Sequence, residues 1–367
     1  MKISRIAQLG AVAAIAALTL AGCASNESTS GGETPAESSG PALSGTLNGS
    51  GATSQQVAIQ AWTAAFQTSN PDVTVNYDPQ GSGTGRESFQ SGAVQFAGSD
   101  RAFKIEEIEA GPFDVCAEGS DIVEIPAYVS PIAIAFNLEG VDSLNLDPAT
   151  IAGIFAGTIT NWNDPAIAAT NSGVTLPDLA ITPVHRSDKS GTTANFTDYL
   201  AQSAADVWSY GSVEEWPVQG GEAAQGTSGV VNAIKGGNGT IGYADHSQTA
   251  DLSVASVQVG SEWVEPSAEG AAKALDASAI EEGRAATDLA FKIDRTTEAT
   301  GAYPVMLVSY LIGCAEYKDA AAAELVKGFF TTAVSEAGQQ AAAKNAGSAP
   351  ISSELATKAQ DVIDQIK

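Results

Sequence analysis

Residues 179–200 of the chain read Leu179-Ala-Ile-Thr-Pro-Val-His-Arg-Ser-Asp-Lys-Ser-Gly-Thr-Thr-Ala-Asn-Phe-Thr-Asp-Tyr-Leu200. The apolar run Leu179–Val184 is typical of a β-strand, and the run Ala194–Leu200 is typical of an α-helix. A strand that leads through a short polar turn into a helix is the repeating unit of α/β proteins. The stretch therefore predicts an α/β unit, with the turn 186–193 at the start of the helix.

This turn carries the groups that an anion requires. Arg186 can make a bidentate contact to an oxyanion, and Ser190 and Thr192 add hydroxyl donors. Gly191 allows the backbone to come close to a ligand, and the start of a helix presents unpaired N–H groups. The alternative interpretation is an ordinary serine or threonine helix cap beside a surface arginine.

The rest of the chain alternates in the same way. Predicted strands include Val73–Tyr77, Asp121–Ile125 and Ile132–Phe136, and apolar residues at helical spacing run from Ala58 to Phe66. The alternation predicts an α/β fold with a largely parallel or mixed sheet. In such sheets ligands bind beyond the carboxyl ends of the strands, where the helices begin.

Three more turns resemble the first in composition. They are Leu47-Asn-Gly-Ser-Gly-Ala-Thr-Ser54, Pro79-Gln-Gly-Ser-Gly-Thr-Gly-Arg86 and Val94-Gln-Phe-Ala-Gly-Ser-Asp-Arg101. Each alone fits a helix cap, and none has the glycine spacing of a dinucleotide site or the lysine-serine pair of a nucleotide phosphate loop. Taken together, the four turns predict a receptor for an anion rather than a catalyst.

The N-terminus is typical of an exported lipoprotein. Residues 1–23 combine a short basic start with an apolar stretch that ends in Leu20-Ala-Gly-Cys23, which resembles a bacterial lipobox with Cys23 as the lipidated residue. A plain secretory peptide is the alternative. Residues 24–43 contain almost no large apolar side chains and predict a flexible tether.

Charge and cysteine content exclude some classes of partner. The formal net charge of −26 argues against nucleic acid and against an anionic membrane surface, so an anion site here must rely on short-range donors. In an exported chain, Cys116 and Cys314 predict a disulfide rather than a metal site. With two histidines and no clustered cysteine-histidine spacing, the sequence has no zinc motif, and nothing in it indicates a cofactor or a stable oligomer.

From about Leu43 onward the chain resembles the phosphate-binding proteins of bacterial phosphate-specific ABC importers. Each matching piece is short, and their order along the chain makes the resemblance specific. The pieces are Gly49-Ser-Gly-Ala-Thr53, Gln80-Gly-Ser-Gly-Thr-Gly85, Phe96-Ala-Gly-Ser-Asp100, Ile154-Phe-Ala-Gly-Thr-Ile-Thr-Asn-Trp-Asn-Asp-Pro165, Arg186-Ser-Asp-Lys-Ser-Gly-Thr192, Gly239-Thr-Ile-Gly-Tyr243 and Ala302-Tyr-Pro-Val305.

The resemblance implies a set of phosphate ligands. They are Thr53, the backbone of Ser54, Thr84, Asp100, Arg186, Ser190, Gly191 and Thr192. The family usually has an aromatic residue where this chain has Ser54, and a serine where it has Thr84. Asp188 matches an aspartate that orients the arginine, although it could also be a surface acid.

The resemblance also implies an architecture and a role. The family is two-lobed and closes around its ligand, with the chain crossing near Tyr128–Ile134 and near Glu298–Tyr303. The first lobe would then comprise 44–130 with 302–367, and the second 131–301. The implied function is binding of inorganic phosphate outside the cytoplasmic membrane, by a monomer anchored through Cys23, and its delivery to the transmembrane permease. Binding of a related oxyanion such as phosphonate, or hydrolysis of a phosphate ester, are the alternatives.

Overall fold

The structure, a computed structural model, describes residues 43–367. The predicted signal peptide, the predicted lipidation site Cys23 and the tether up to residue 42 lie outside the described residues. Within the described part the chain forms the α/β fold with a mixed sheet that the alternation of the sequence predicts.

Residues 43–367 contain thirteen strands. Their bounds are β1 Gly45–Gly51, β2 Val73–Asp78, β3 Phe96–Ser99, β4 Ile122–Asn137, β5 Ser143–Leu146, β6 Thr182–Arg186, β7 Glu222–Ala224, β8 Thr240–Asp245, β9 Ser253–Val259, β10 Glu262–Val264, β11 Ala279–Ile280, β12 Phe291–Lys292 and β13 Met306–Cys314.

In the same residues, eleven α-helices and the 3₁₀ turn His246–Gln248 accompany these strands. The helices are α1 Gln56–Ser69, α2 Ser82–Gln90, α3 Ile105–Ala110, α4 Pro148–Phe155, α5 Pro165–Thr170, α6 Gly191–Ser203, α7 Gly226–Gly236, α8 Ala268–Asp276, α9 Ala320–Val334, α10 Glu336–Ala346 and α11 Ser353–Ile363. Seven of them begin after an aspartate or serine whose side chain accepts a hydrogen bond from the first turn. Such caps satisfy backbone N–H groups that have no partner within the helix.

The first part of the sheet has the strand order β2-β1-β3-β13-β4. Strands β2, β1 and β3 run parallel to one another, while β13 runs antiparallel to both β3 and β4. The carboxyl ends of the three parallel strands therefore lie at the same edge of the sheet.

Strand β4 belongs to both parts of the sheet. Its residues Ile122–Pro131 pair with β13, and its residues Ile132–Asn137 pair with β8. The sequence predicts two strands here, Asp121–Ile125 and Ile132–Phe136, where the structure has one. The strand continues because Pro126 lies at a bulge against β13 and Pro131 lies where the partner strand changes, so that the missing N–H groups are tolerated there.

Beyond β4, strands β8, β6 and β7 complete the second part of the sheet, and β9 carries β5 and β10. Strand β6 is parallel to β8, so that its carboxyl end leads directly into α6. The fold is two-lobed, in agreement with the resemblance. The boundaries of the lobes, 44–130 with 302–367 and 131–301, stay a prediction.

Aromatic packing holds the helix α6 in place. Phe196 of α6 stacks on Tyr243 of β8 with 4.4 Å between ring centroids, and Phe155 of α4 meets Phe196 edge-on at 4.8 Å. All three side chains are buried. Because these rings fix the first half of α6 against the sheet, the position of its N-terminus is defined by the core.

Cys116 and Cys314 form a disulfide across 198 residues of sequence, with the two Cα atoms 5.4 Å apart. The predicted pairing is confirmed. It fastens the segment after α3 to the end of β13. Within residues 43–367, no helix is both long and apolar enough to cross a membrane.

Candidate ligand-binding site

The four polar turns occupy equivalent places in the fold. Thr53 and Ser54 lie between β1 and α1, Gly81 directly precedes α2, and Asp100 directly follows β3. The turn 187–190 lies between β6 and α6. Each of these segments stands at the carboxyl end of a strand, which is the usual position of a ligand site in an α/β sheet.

Asp100 lies at the centre of the site and is 2% exposed. Its Oδ1 accepts hydrogen bonds from the hydroxyls of Ser54 at 2.5 Å and Ser309 at 2.9 Å, and its Oδ2 accepts one from Thr192 at 2.9 Å. Burial raises the pKa of Asp100, while the three hydroxyls and the charge of Arg186 lower it, and the net direction is upward.

Arg186 lies at the end of β6 and is 3% exposed. Its Nε donates to Asp188 Oδ1 at 2.8 Å, and its Nη2 donates to Asp188 Oδ2. Asp188 Oδ1 also accepts from the backbone N–H of Gly226 at 3.0 Å. Asp188 is therefore a partner of the buried guanidinium in this structure, and not only a surface acid.

The start of α6 brings neutral donors to the same place. Ser190 caps the helix by accepting from the N–H of Thr193 at 3.1 Å, and its own N–H donates to the carbonyl of Glu214. Gly191 and Thr192 occupy the first two helical positions, where the backbone N–H groups have no acceptor within the helix. The helix dipole points its positive end in the same direction.

Gly191 lies against the opposite loops. A Cβ placed on it would come within 2.5 Å of Ser82 Oγ and 2.7 Å of Asp100 Cβ. Only glycine allows the start of α6 to come this close to the residues that follow β2 and β3.

Thr53 joins the site through a second helix start. Its hydroxyl lies 2.9 Å from that of Thr227 and accepts from the Thr227 N–H at 3.1 Å. Thr227 belongs to the first turn of α7, whose first residue is Gly226, the donor to Asp188. Thr227 is a neighbour that sequence reasoning missed, because α7 begins without a recognised motif.

In the second turn, the hydroxyl that contacts the other site residues is that of Ser82, whereas Thr84 stays a predicted ligand. Ser82, 1% exposed at the first position of α2, accepts a hydrogen bond at 3.1 Å from the backbone N–H of Asp100 and lies beside Gly191. Thr84 is half-buried two residues later and is hydrogen-bonded to none of the other predicted site residues. Gly81 has φ +105°, a backbone conformation that favours glycine, and α2 begins at the next residue, Ser82. This glycine is the feature of the sequence that could have indicated the start of the helix.

An ion-pair cluster borders the site. Arg86 of α2 donates to both carboxylate oxygens of Glu214 at 2.8 and 2.6 Å, and Arg101 donates to Glu214 at 2.7 Å and to Glu107. These residues line a cavity of about 510 Å³ together with Lys189. The segment that carries Glu214 therefore connects the turn of Ser190 with the residues that follow β2 and β3.

The PBP superfamily domain matches residues 36–337 of the chain. The phosphate-binding protein PstS 3 of Mycobacterium tuberculosis is 33% identical over 376 residues, covering 100% of both chains, and PstS 3 of Mycobacterium leprae is 36% identical over 324 residues, covering 86% of this chain and 87% of the relative. The chain belongs to the PstS family of phosphate-binding proteins.

Solved structures of phosphate-binding proteins share the fold. PfluDING, a high-affinity periplasmic phosphate-binding protein solved with bound phosphate, superposes with a TM-score of 0.69 at 22% identity, covering 86% of this chain and 93% of its own. A phosphate ABC transporter substrate-binding protein of Clostridium perfringens, described as putative and solved with bound phosphate, gives a TM-score of 0.58 at 23% identity over 82% and 98% of the two chains. At these identities the likeness concerns the fold alone.

Proposed function

We propose that this protein binds inorganic phosphate outside the cytoplasmic membrane and delivers it to the permease of an ABC importer. The observation that carries the proposal is a buried carboxylate, Asp100, placed beside a buried arginine and a helix N-terminus. The names of its PstS relatives support the same function.

The donors of the site suit a dehydrated anion. A buried charge left without partners costs about 3–5 kcal/mol, so each oxygen of the ligand needs donors. Arg186 supplies a permanent charge, and the N–H groups of Gly191 and Thr192 supply neutral donors at the positive end of a helix. The hydroxyls of Ser190 and Thr53 complete this part of the ligand set.

Asp100 gives the site its preference among anions. An ionised carboxylate can accept a hydrogen bond from a ligand P–OH group, which phosphate retains at neutral pH. Sulfate has no such proton, so one of its oxygens would face the carboxylate with no hydrogen bond between them. A loss of this kind is worth several kcal/mol, which corresponds to a rejection of about a hundredfold or more.

Isothermal titration with phosphate, arsenate, sulfate and a phosphonate tests the proposal. We expect tight binding of phosphate and no measurable heat with sulfate. The variant Asp100→Asn should lose about a hundredfold of the discrimination between phosphate and sulfate, because an amide can donate to sulfate. The exposed Asp206→Asn is the matched control. Wild-type selectivity in Asp100→Asn would exclude the acceptor role of Asp100. Preferential binding of the phosphonate would show that the ligand is a phosphonate and not inorganic phosphate.

The proposal is binding without catalysis. The relatives are named phosphate-binding proteins, and in residues 43–367 no group of three histidine, cysteine or acidic side chains is arranged to hold a metal ion. His185, next to Arg186 in β6, stacks on Trp216 with 5.1 Å between ring centroids. Turnover of a chromogenic phosphate ester by the purified protein would contradict this part of the proposal.

The proposal extends to the cellular arrangement. A lipid on Cys23 would anchor the protein to the membrane, and residues 24–43 would serve as the tether. The protein would act as a monomer that meets the permease of a phosphate importer. The family membership supports an extracytoplasmic location.

A further inference from the structure

We infer that Ser54 and Ser309 are positioning residues that keep the Asp100 carboxylate ionised, and that they set the lowest pH at which the site selects a protonated oxyanion. The inference rests on the proposed function and adds two residues to it. Neither hydroxyl is among the ligands that the resemblance implies.

The two serines reach the same carboxylate oxygen from different parts of the chain. Ser54 comes from the turn before α1, and Ser309 comes from the middle of β13, at the bulge against β4. Both are 0% exposed, and both hydroxyls donate to Asp100 Oδ1, at 2.5 and 2.9 Å. Two independent elements therefore hold one oxygen of Asp100.

This arrangement determines how Asp100 can meet a ligand. A carboxylate has about four acceptor positions, and the hydroxyls of Ser54, Ser309 and Thr192 occupy three of them. The fourth belongs to Oδ2, the oxygen that Thr192 also contacts. The serines thus occupy Oδ1 and leave the remaining acceptor position on Oδ2, the oxygen that contacts Thr192 at the start of α6.

The hydroxyls also stabilise one protonation state. Burial favours the neutral acid and raises the pKa of Asp100, while each donated hydrogen bond favours the carboxylate. A protonated Asp100 could donate a hydrogen bond, and the site would then also bind a fully deprotonated oxyanion such as sulfate. Selection against sulfate therefore lasts only while the carboxylate is ionised.

The other charged and titratable groups around Asp100 cannot replace the serines. Arg186 favours the carboxylate, but its charge is shared with Asp188. Asp245, at the end of β8, repels the Asp100 carboxylate only when both are ionised, and the adjacent Arg101 is paired with Glu107 and Glu214. Tyr77 stays neutral because burial, and then the charge of Asp100, raise its pKa well above the usual value.

The test compares Ser54→Ala, Ser309→Ala and the double variant with the wild type. Phosphate and sulfate affinities are measured by isothermal titration between about pH 5 and about pH 8. We expect the pH at which phosphate selectivity is lost to rise by about one unit in the double variant, which is about a tenfold lower selectivity at acidic pH. Ser54→Thr retains the hydroxyl and should retain the wild-type profile.

A matched control removes a buried serine at the end of β1, close to Ser54, that does not contact Asp100. Ser50 is 4% exposed and donates to the carbonyl of Asp78, so Ser50→Ala should leave the pH profile of selectivity unchanged. If Ser309→Ala does not fold, the comparison of Ser54→Ala with Ser54→Thr is sufficient as the test.

The outcomes separate this inference from the proposed function. A wild type that binds no phosphate would contradict the function itself. If the wild type selects phosphate and the alanine variants have the same pH profile of selectivity as the wild type, the inference is overturned and the proposed function stands. Affinity reduced by the same factor at every pH would assign the serines a structural role and would overturn it as well.

Discussion

Arg186 brings a positive charge to a place that water hardly reaches, and Asp188 makes this possible. Burial by itself would raise the pKa of Asp188, but the hydrogen bonds and charge of Arg186 and the N–H of Gly226 hold it below its usual range. Asp188 therefore stays ionised well into the acidic range. With Nε and Nη2 engaged, the guanidinium is fixed in one orientation and offers Nη1 as its remaining amino group.

At the same scale, Ser82 and Thr84 give a test that distinguishes neighbouring hydroxyls. We expect Ser82→Ala to weaken phosphate binding by about tenfold or more, because a hydrogen bond to a charged group is worth about 1.5–3 kcal/mol. Thr84→Ala should bind like the wild type, since its side chain contacts none of the other site residues by hydrogen bonds. Isothermal titration of both variants decides between them, and an equal loss in Thr84→Ala would restore Thr84 as the ligand.

Among the elements, the segment between α6 and β7 connects several residues around the site through Glu214. Glu214 in this segment accepts a hydrogen bond on its backbone carbonyl from Ser190 and binds Arg86 and Arg101 with its carboxylate. Burial would raise the pKa of Glu214, but the two arginines outweigh it and lower the pKa. The ion pairs therefore stabilise the protein at neutral pH, and this stabilisation is lost only as the pH falls through the lowered pKa.

Glu214→Gln should lower the free energy of unfolding by about 3 kcal/mol. The reason is that Arg86, 4% exposed, would remain buried without its carboxylate. The exposed neighbour Glu215 makes Glu215→Gln a control with the same change of charge. Urea unfolding of the two variants at neutral pH measures the difference, and equal stability of both would show that the ion pairs contribute nothing.

On the scale of the whole molecule, strand β4 and the groups beside it connect the two parts of the sheet. Tyr128, in the part of β4 that pairs with β13, donates to Asp245 at the end of β8, with 3.1 and 3.2 Å to the two carboxylate oxygens. Asp245 is 0% exposed, and burial is the main cause that raises its pKa to about 7. A buried acid thus lies where the chain passes from one part of the sheet to the other.

The pH dependence of stability should reveal this acid. The folded state holds the Asp245 proton up to about pH 7, while an unfolded aspartate loses it near pH 4, so its contribution to stability decreases as the pH rises between these values. The side chain of Asp245→Asn does not titrate. The stability of this variant relative to the wild type should therefore be higher at about pH 8 than at about pH 5. Thermal unfolding at the two pH values is the measurement, with the exposed Asp206→Asn as control. Parallel changes in wild type and Asp245→Asn would contradict the prediction.

Local patterns were sufficient to predict the strand-turn-helix units and the disulfide, because each depends on residues close in sequence or on a single pair. The chain around Arg186 illustrates this, since β6 and α6 begin and end within three residues of the predicted runs. The two strands predicted at Asp121–Ile125 and Ile132–Phe136 form one strand instead, because the bulge and the change of partner depend on β13 and β8.

The candidate site was predictable only in part for the same reason. Asp100, Arg186 and the start of α6 stand in recognisable turns. Ser309 lies inside an apolar strand, and Thr227 follows a turn without a motif, so only their distances in space connect them with the site. Which hydroxyl of the second turn, Ser82 or Thr84, lies next to Asp100 depends on the residue at which α2 begins, and patterns define helix ends poorly.

The segments that carry the site also bind one another directly. The Gly83 N–H donates to the carbonyl of Lys189 at 3.1 Å, and Asn195 donates to the carbonyl of Asp100 at 2.6 Å. For an anion bound between these segments, such bonds would oppose their separation. The net charge of −26 slows the arrival of any anion, so tight binding must come from a long residence time. If the protein delivers phosphate as proposed, release within a transport cycle would then depend on the permease separating these segments.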